Sequence, residues 1–170
     1  MKKYVLIFIL SGIVTLIKAQ TQPGQKPCSS PEASQFDFWV GKWELTWNDT
    51  SKGTNTINKI MDGCTLHENF FDPVLNYKGE SWSVYNPTKK MWQQTWVDNG
   101  GAYIVLTGKF ENGEMTLFTQ PQKQPDGKEQ IARMVFYKIT PDSFDWRWES
   151  TTDDGATWKT NWLIHYKRKM

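Results

Sequence analysis

Apolar and polar residues alternate with a period of two along almost the whole chain from about residue 42 onward. Such alternation is typical of half-buried β-strands, and no later segment shows the period of an amphipathic helix. Turn-forming pairs such as Asp62-Gly63 and Asn112-Gly113 separate the alternating segments. The pattern predicts ten strands, over residues 42–47, 54–61, 65–71, 78–85, 91–98, 102–110, 114–120, 131–139, 143–150 and 158–167.

Even spacing and short connections favour a single antiparallel meander. Closure is the simplest way to remove the two exposed edges of a meander, so we predict an all-β, ten-stranded up-and-down barrel. A sandwich of two sheets is the alternative. One helical turn over residues 32–38, capped by Ser30, is expected before the first strand.

Large aromatic residues share strand faces with polar residues in this pattern. Trp92, Gln94 and Trp96 share one face of the fifth strand, and Trp146 lies on the aromatic face of the ninth. In the last strand one face is expected to carry Trp158, Thr160, Trp162, Ile164, Tyr166 and Arg168. Aromatic walls with scattered hydrogen-bonding groups are typical of a small-molecule cavity. We therefore predict a cavity lined by some of Trp82, Trp92, Trp96, Trp146 and Trp162.

Four polar residues are candidates for orienting the polar end of a ligand in this cavity, namely Glu68, Tyr85, Gln94 and Arg133. An inward carboxylate at Glu68 requires either hydrogen-bond partners or a raised pKa. An inward Arg133 requires an anionic partner, for which Glu68 or a ligand carboxylate is suitable.

The segment Thr151–Trp158, TTDDGATW, predicts a tight hairpin corner. Asp153 can accept hydrogen bonds from the turn, Gly155 can adopt a positive φ, and Trp158 can fold under the corner. The segment resembles the S-x-D-x-G-x-T-W Asp-box of sialidases, with Thr151 in the Ser position. Because the motif occurs once, a propeller of several blades is excluded.

Residues 1–19 combine a basic start, an apolar run and Ala19 before the expected cleavage point, which predicts a signal peptide. Retention of this segment as an anchor is the alternative. Residues 20–35 are read as an extended arm and residues 36–170 as one barrel domain. The expected product is exported, periplasmic or extracellular, free of the membrane after cleavage, and a monomer or weak dimer.

Charge argues against a nucleic-acid partner. Removal of residues 1–19 takes away three lysines and no acid, so the formal net charge changes from +2 to −1.

Cys28 and Cys64 are the two cysteines of the chain. In an oxidising compartment we expect them to pair, which stabilises a domain by about 3–4 kcal/mol in the chain-entropy model. Two free thiols are the alternative.

Several longer motifs carry a resemblance to a known family. They are DFWVGKW at 37–43, DGCTLHE at 62–68, WQQTWVDNGG at 92–101, ARM at 132–134 and ESTTDDGATW at 149–158. Together they resemble a family of bacterial exported domains of unknown function with lipocalin-like or nitrobindin-like (calycin) barrels. The chain departs from the family pattern at Asp154, where the family usually has Gly.

The segment Gly41-x-Trp43 is similar to the G-x-W signature of lipocalins. The resemblance implies that Trp43 closes the base of the barrel and that a basic residue of the last strand, here Arg168, covers it. Nitrobindin-type barrels bind haem iron through a His near the chain end, and His165 is the residue to compare. Alternation places His165 on the more polar side of its strand, so no haem or other cofactor is expected.

Three functions remain open from the sequence. The first is a binding protein for a small amphipathic or aromatic ligand. The second is an isomerase or hydrolase with Glu68 as general acid or base, which Asp98 could assist as a second carboxylate at the cavity mouth. The third is a carbohydrate-binding module, which requires a row of exposed tryptophans. His67 and His165 lack metal-binding spacing, so no metal site is predicted.

Overall fold

A computed structural model describes residues 27–48 and 50–169. The predicted signal peptide and residues 20–26 of the predicted arm lie outside the described residues. Buried and exposed residues alternate along strands such as β1, so the segments with a period of two in the sequence are the strands of the sheet. The strands are β1 Gly41–Trp47, β2 Ser51–Ile60, β3 Thr65–Asp72, β4 Tyr77–Asn86, β5 Met91–Asp98, β6 Tyr103–Glu111, β7 Glu114–Thr119, β8 Gln122–Lys123, β9 Glu129–Tyr137, β10 Ser143–Thr151 and β11 Lys159–Arg168.

Ten of these strands close into an antiparallel barrel, which confirms the predicted fold class and excludes the sandwich. Each strand pairs with the next along the chain, except that β7 pairs with β9, and β11 pairs with β1. The two-residue strand β8, which the sequence pattern did not predict, pairs only with β9 and forms a lip at one end of the barrel. No edge of the barrel is therefore left unpaired apart from this lip.

The predicted short helical turn before the first strand is present and consists of two 3-10 segments. They span Pro31–Ser34 and Asp37–Trp39, and the Ser30 hydroxyl accepts a hydrogen bond from the Ala33 amide. Phe36 and Trp39 are fully buried and stack on each other with ring centroids 4.9 Å apart. These turns plug one end of the barrel, which we call the base.

Arg168 covers Trp43 at the base. Trp43 lies opposite Arg168 in the β1–β11 ladder, and the guanidinium carbon lies 4.1 Å from the indole centroid. Arg168 also donates to the Val40 carbonyl, at 2.8 Å. Gly41 has φ +134°, and a Cβ there would overlap the Arg168 guanidinium, so only glycine fits this position.

A disulfide joins Cys28 to Cys64, as predicted, with 5.2 Å between their Cα atoms. Cys64 lies in the connection between β2 and β3 at the base, so the bond fixes the start of the described chain beside the plug. A structural disulfide indicates a non-reducing environment. Among the described residues, no helix is long and apolar enough to cross a membrane.

The hairpin between β10 and β11 forms the expected corner. Asp153 accepts hydrogen bonds from the backbone N–H and the hydroxyl of Thr157, at 2.9 and 2.6 Å, and from the Thr151 hydroxyl. Led by the Thr151 and Thr157 hydroxyls, these bonds lower the pKa of Asp153 to about 2. The corner lies at the end opposite the base, which we call the mouth.

One part of the predicted alternation is wrong. The β10–β11 register shifts between Trp148 and Glu149, because Trp148 pairs with Trp162 whereas Glu149 pairs with Thr160. This β-bulge at Asn161 reverses the phase of β11, so Trp158 and Thr160 do not share the inner face of Trp162. Trp158 instead packs on the outside of the barrel, beside Phe118.

Candidate functional site

A cavity of about 140 Å³ lies between the base and the mouth. Five tryptophans from the plug, β5, β10 and β11 contribute to its lining: Trp39, Trp96, Trp146, Trp148 and Trp162. Phe70, Tyr77, Phe136 and Tyr166 add four more aromatic rings. The remaining lining residues are Glu68, Ile104, Met134 and Ile164, so among the described residues Glu68 is the one carboxyl group on a largely apolar surface.

The aromatic rings hold one another edge to face. Trp162 lies perpendicular to Trp146 with centroids 5.7 Å apart, and Phe70 meets Trp162 at 81°. Trp96 lies flat against β4 at Gly79, where any Cβ would collide with the indole ring. Such contacts restrict each ring to one orientation, so the cavity keeps its shape without a ligand.

Glu68 projects inward from β3 and is 5% exposed. Its carboxylate accepts hydrogen bonds from Asn55 Nδ2 at 2.6 Å and from the Ser81 hydroxyl at 2.5 Å. Within the described chain no lysine, arginine or histidine forms an ion pair with it. Burial outweighs the two hydrogen bonds and raises the pKa of Glu68 to about 7.

A buried polar network surrounds Glu68 on the wall formed by β2–β5. Gln94 Nε2 donates to the hydroxyls of Ser81 and Ser83, at 3.2 and 2.9 Å. Ser81 in turn donates to Glu68, so the chain of bonds runs from Gln94 to the carboxylate. This network holds Glu68 in one position beside the cavity.

Tyr166 brings a second polar group to the same point of the lining. Asn55 Nδ2 donates both to Glu68 and, at 3.2 Å, to the Tyr166 hydroxyl. Burial, followed by the charge of Glu68, raises the pKa of Tyr166, so its hydroxyl stays protonated. Tyr166 can therefore donate to a ligand atom that Glu68 also reaches.

Asp98 lies at the mouth end of β5 and accepts hydrogen bonds from residues at the rim of the cavity. Tyr77 and Trp96 donate to its Oδ2 at 2.7 and 3.0 Å, and the Gly100 and Ala102 amides donate to Oδ1. Burial acts to raise the pKa of Asp98, but these bonds together hold it below its ordinary value. All of these contacts position the rim, and Asp98 itself does not line the cavity.

The structure brings four of the predicted site residues to the cavity region: Glu68, Trp96, Trp146 and Trp162 line it. Gln94 lies one layer behind, in the polar network. Trp92 and Tyr85 lie toward the base, where Trp92 packs edge-on against Phe36 at 5.3 Å. These last two residues support the plug and do not reach the cavity.

Two predicted site residues lie on the outer face, contrary to the sequence-based expectation. Trp82 is 38% exposed and stacks on His67 with centroids 5.0 Å apart. Arg133 bonds Glu149 through Nε at 2.7 Å and stacks on Trp158 at 3.8 Å, far from the expected partner Glu68. The side chains beside Arg133 in β9 that do line the cavity are Met134 and Phe136.

Glu149 is the anion that Arg133 requires. It is 4% exposed, and its Oε1 accepts from the Thr160 hydroxyl at 3.1 Å and lies 3.0 Å from Arg147 Nε, whereas Arg133 contacts Oε2. The Arg147 contact is an ion pair without hydrogen-bonding geometry. At the outer face of β9 and β10, Glu149 is thus held between two arginines, and Trp158 of the hairpin corner stacks on one of them, Arg133.

The sequence pattern did not predict that Asn55, Ser81 and Tyr166 are partners of the site, or that Trp39 and Trp148 line the cavity. Asn55 and Ser81 lie on the strands beside Glu68 and on the same face of the sheet. A polar residue on each of three neighbouring strands, all on one face, could have indicated this network. Tyr166 shares its predicted face with Trp162 and Ile164, which was a usable signal for the lining.

No group of three or more His, Cys, Asp or Glu side chains within residues 27–48 and 50–169 has the arrangement of a metal site. His165 lies on the outer face, with Nδ1 2.6 Å from Asp145, and does not line the cavity. Comparison of the chain with protein-family models and with curated proteins gives no match. The calycin-like architecture therefore rests on the barrel itself, and the family resemblance remains a prediction.

Proposed function

We propose that this chain is an exported, lipocalin-like binding protein for a small aromatic or amphipathic molecule. The observation that carries the proposal is a preformed cavity with nine aromatic rings and one uncompensated carboxyl group, Glu68. Ligand sites in proteins are concave and mostly apolar, with a few polar groups that fix orientation. The disulfide supports the exported setting, periplasmic or extracellular.

The volume of the cavity limits the size of the ligand. A dry cavity of about 150 Å³ lined by apolar side chains binds benzene in an unrelated protein. The 140 Å³ cavity described above therefore suits one six-membered ring with a small substituent. Long acyl chains and ligands with three or more fused rings exceed this volume.

Glu68 and Tyr166 determine which substituent the ligand ring can carry. The carboxylate uses one acceptor site on each oxygen for Asn55 and Ser81, and an ionised carboxylate offers about four. A ligand hydroxyl can donate to Glu68 while it accepts from Tyr166. A phenol has this arrangement of ring and hydroxyl, and benzene lacks the hydroxyl.

Binding of phenol, measured by calorimetry and by tryptophan fluorescence, tests the proposal. Phenol is expected to bind more tightly than benzene, and Trp162→Ala is expected to weaken binding at least about tenfold. Trp82→Ala is the matched control, because Trp82 lies on the outer face. Absence of binding by either compound to folded protein would refute the proposal, as would equal losses in the two variants.

One observation favours an enzyme as the second candidate. Glu68 lies in an apolar cavity with its pKa raised to about 7, which suits a general acid or base at neutral pH. A benzisoxazole that opens when a base removes one proton is a suitable probe. A rate that rises with pH around 7 and disappears in Glu68→Gln would support this function.

The carbohydrate-binding module has less support. It requires a flat row of solvent-facing tryptophans, whereas Trp82 is the one tryptophan of the described chain that is more than about a third exposed.

A further inference from the structure

An open groove continues the cavity at the mouth. Cavity and groove share Ile104 and Trp148, and the groove encloses about 330 Å³. A neighbouring depression of about 270 Å³ shares Gln130, Ser150 and Asn161 with the groove. Ile104 and Trp148 therefore form the boundary at which the aromatic cavity and the surface groove adjoin.

The chemistry of the lining changes where the cavity meets the groove. Five neutral side chains with hydrogen-bonding groups line the groove, namely Thr119, Gln122, Gln130, Ser150 and Asn161. Within the described chain no ionised side chain lines the groove itself, and Lys159 lines the neighbouring depression. Hydroxyl and amide groups both donate and accept, so they match ligand hydroxyls, which do the same. A cationic ligand group would find no partner in the groove, and an anionic group would find a cation only beyond it, at Lys159.

Two departures from a simple meander supply these groove residues. The bulge in β11 turns Asn161 toward the mouth, where its Nδ2 donates to the Ser150 hydroxyl at 2.9 Å. The lip formed by β8 sets Gln122 opposite Gln130. Bulges and short added strands at barrel rims commonly redirect side chains toward a site.

Trp148 stands at the junction. It is half-buried and belongs to both the cavity and the groove. An indole presents an apolar face beside its polar edge, which suits the carbon face of a sugar ring flanked by hydroxyls.

We infer that the ligand has two parts, a ring in the cavity and a neutral, sugar-like hydroxylated group in the groove beyond Trp148. This inference rests on the proposed function, since it requires the cavity to hold a ring. The ligand class is accordingly an aryl glycoside.

Three probes test the inference: phenol, 4-hydroxyphenyl β-D-glucopyranoside and glucose. The glucoside keeps the phenol hydroxyl for Glu68 and adds the sugar for the groove. Two or three added hydrogen bonds are expected to make the glucoside bind at least about tenfold more tightly than phenol. Glucose alone is expected to bind far more weakly than either.

The variant Asn161→Leu distinguishes the contributions that the two parts of the ligand make to binding. This variant is expected to weaken glucoside binding about tenfold and to leave phenol binding within about twofold. Asn69→Leu is the matched control, because Asn69 is exposed on β3 on the face opposite Glu68.

The outcomes distinguish the two proposals. Phenol binding with no gain for the glucoside would overturn the inference and leave the proposed function intact. A loss of phenol and glucoside binding by the same factor in Asn161→Leu would also overturn it. Failure of both probes to bind would refute the proposed function itself.

Discussion

Glu68 and Glu149 are equally buried but lie on opposite faces of the barrel wall. Glu68 is 5% exposed and Glu149 is 4% exposed. Glu149 on the outer face has two arginines, with Arg133 Nη2 2.6 Å from its carboxylate. Glu68 on the inner face has only the neutral donors Asn55 and Ser81. Burial alone therefore does not separate a structural carboxylate from a functional one.

The partners of each glutamate decide its role. Guanidinium groups balance the charge of Glu149, and that charge in turn holds Arg133 beneath Trp158 of the hairpin corner. The charge of Glu68 is uncompensated, so burial raises its pKa. A group that the fold keeps poised between two protonation states, and that lines a cavity, is a candidate for binding or proton transfer.

Removal of Glu149 is expected to have the largest effect on stability. Glu149→Ala leaves Arg133 and Arg147 facing each other without an anion, and breaking a buried pair in this way typically costs about 3–5 kcal/mol. Because both arginines are partly exposed, we expect the lower end, about 3 kcal/mol. Urea unfolding measures this loss. Glu68→Gln at neutral pH is the comparison, and an equal loss of stability in both variants would contradict the different roles of the two glutamates.

The pH dependence of the free energy of unfolding is expected to show the raised pKa of Glu68. Its folded pKa of about 7 lies above the ordinary 4.5, so its stabilising contribution is complete below pH 4.5 and is lost as the pH rises through 7. The difference between the two values corresponds to about 3 kcal/mol. Relative to Glu68→Gln, the unaltered protein is expected to lose this amount between pH 4.5 and about pH 8. If the free energies of unfolding of the two proteins changed with pH in the same way, the raised pKa would not belong to Glu68.

Ligand affinity is expected to depend on the inner glutamate only. At about pH 8, Glu68→Gln is expected to weaken phenol binding about tenfold, because it replaces an ionised acceptor by a neutral one. Glu149→Gln is expected to leave the affinity within about twofold. Calorimetry at a temperature at which both variants are folded measures the difference, and a larger loss in Glu149→Gln would reverse the assignment of roles.

The smallest effect is expected at an exposed ion pair of the outer face. His165 and Asp145 lie 2.6 Å apart, with the His165 side chain 57% exposed. His165→Asn is expected to change the free energy of unfolding by less than about 1 kcal/mol and to leave phenol binding unchanged. Loss of ligand affinity in this variant would place His165 in the site.

Sequence alternation was sufficient to predict the ten barrel strands, because one face of each strand is buried and the period of two is strong. The two-residue strand β8 is too short to show any period. The bulge at Asn161 also gives no signal in the sequence, because it depends on the pairing of β10 with β11.

Alternation divides a strand into two faces but does not say which face is inside. On β4 the inner positions are small, with Gly79 beneath Trp96 and with Ser81 and Ser83 bound to Gln94. Trp82 is therefore outside, although its hydrophobicity favoured the inside. The position of Glu68 on the inner wall followed from its apolar neighbours, whereas the orientation of Arg133 depended on the distant Glu149.

The disulfide and the contacts of Arg168 place both ends of the described chain at the base. Tags, carrier proteins or a solid support joined directly before Pro27 or after Lys169 would consequently leave the opposite end unobstructed. Immobilisation through either end is thus compatible with small molecules entering and leaving, and a sensor chip prepared in either orientation should report the same affinity.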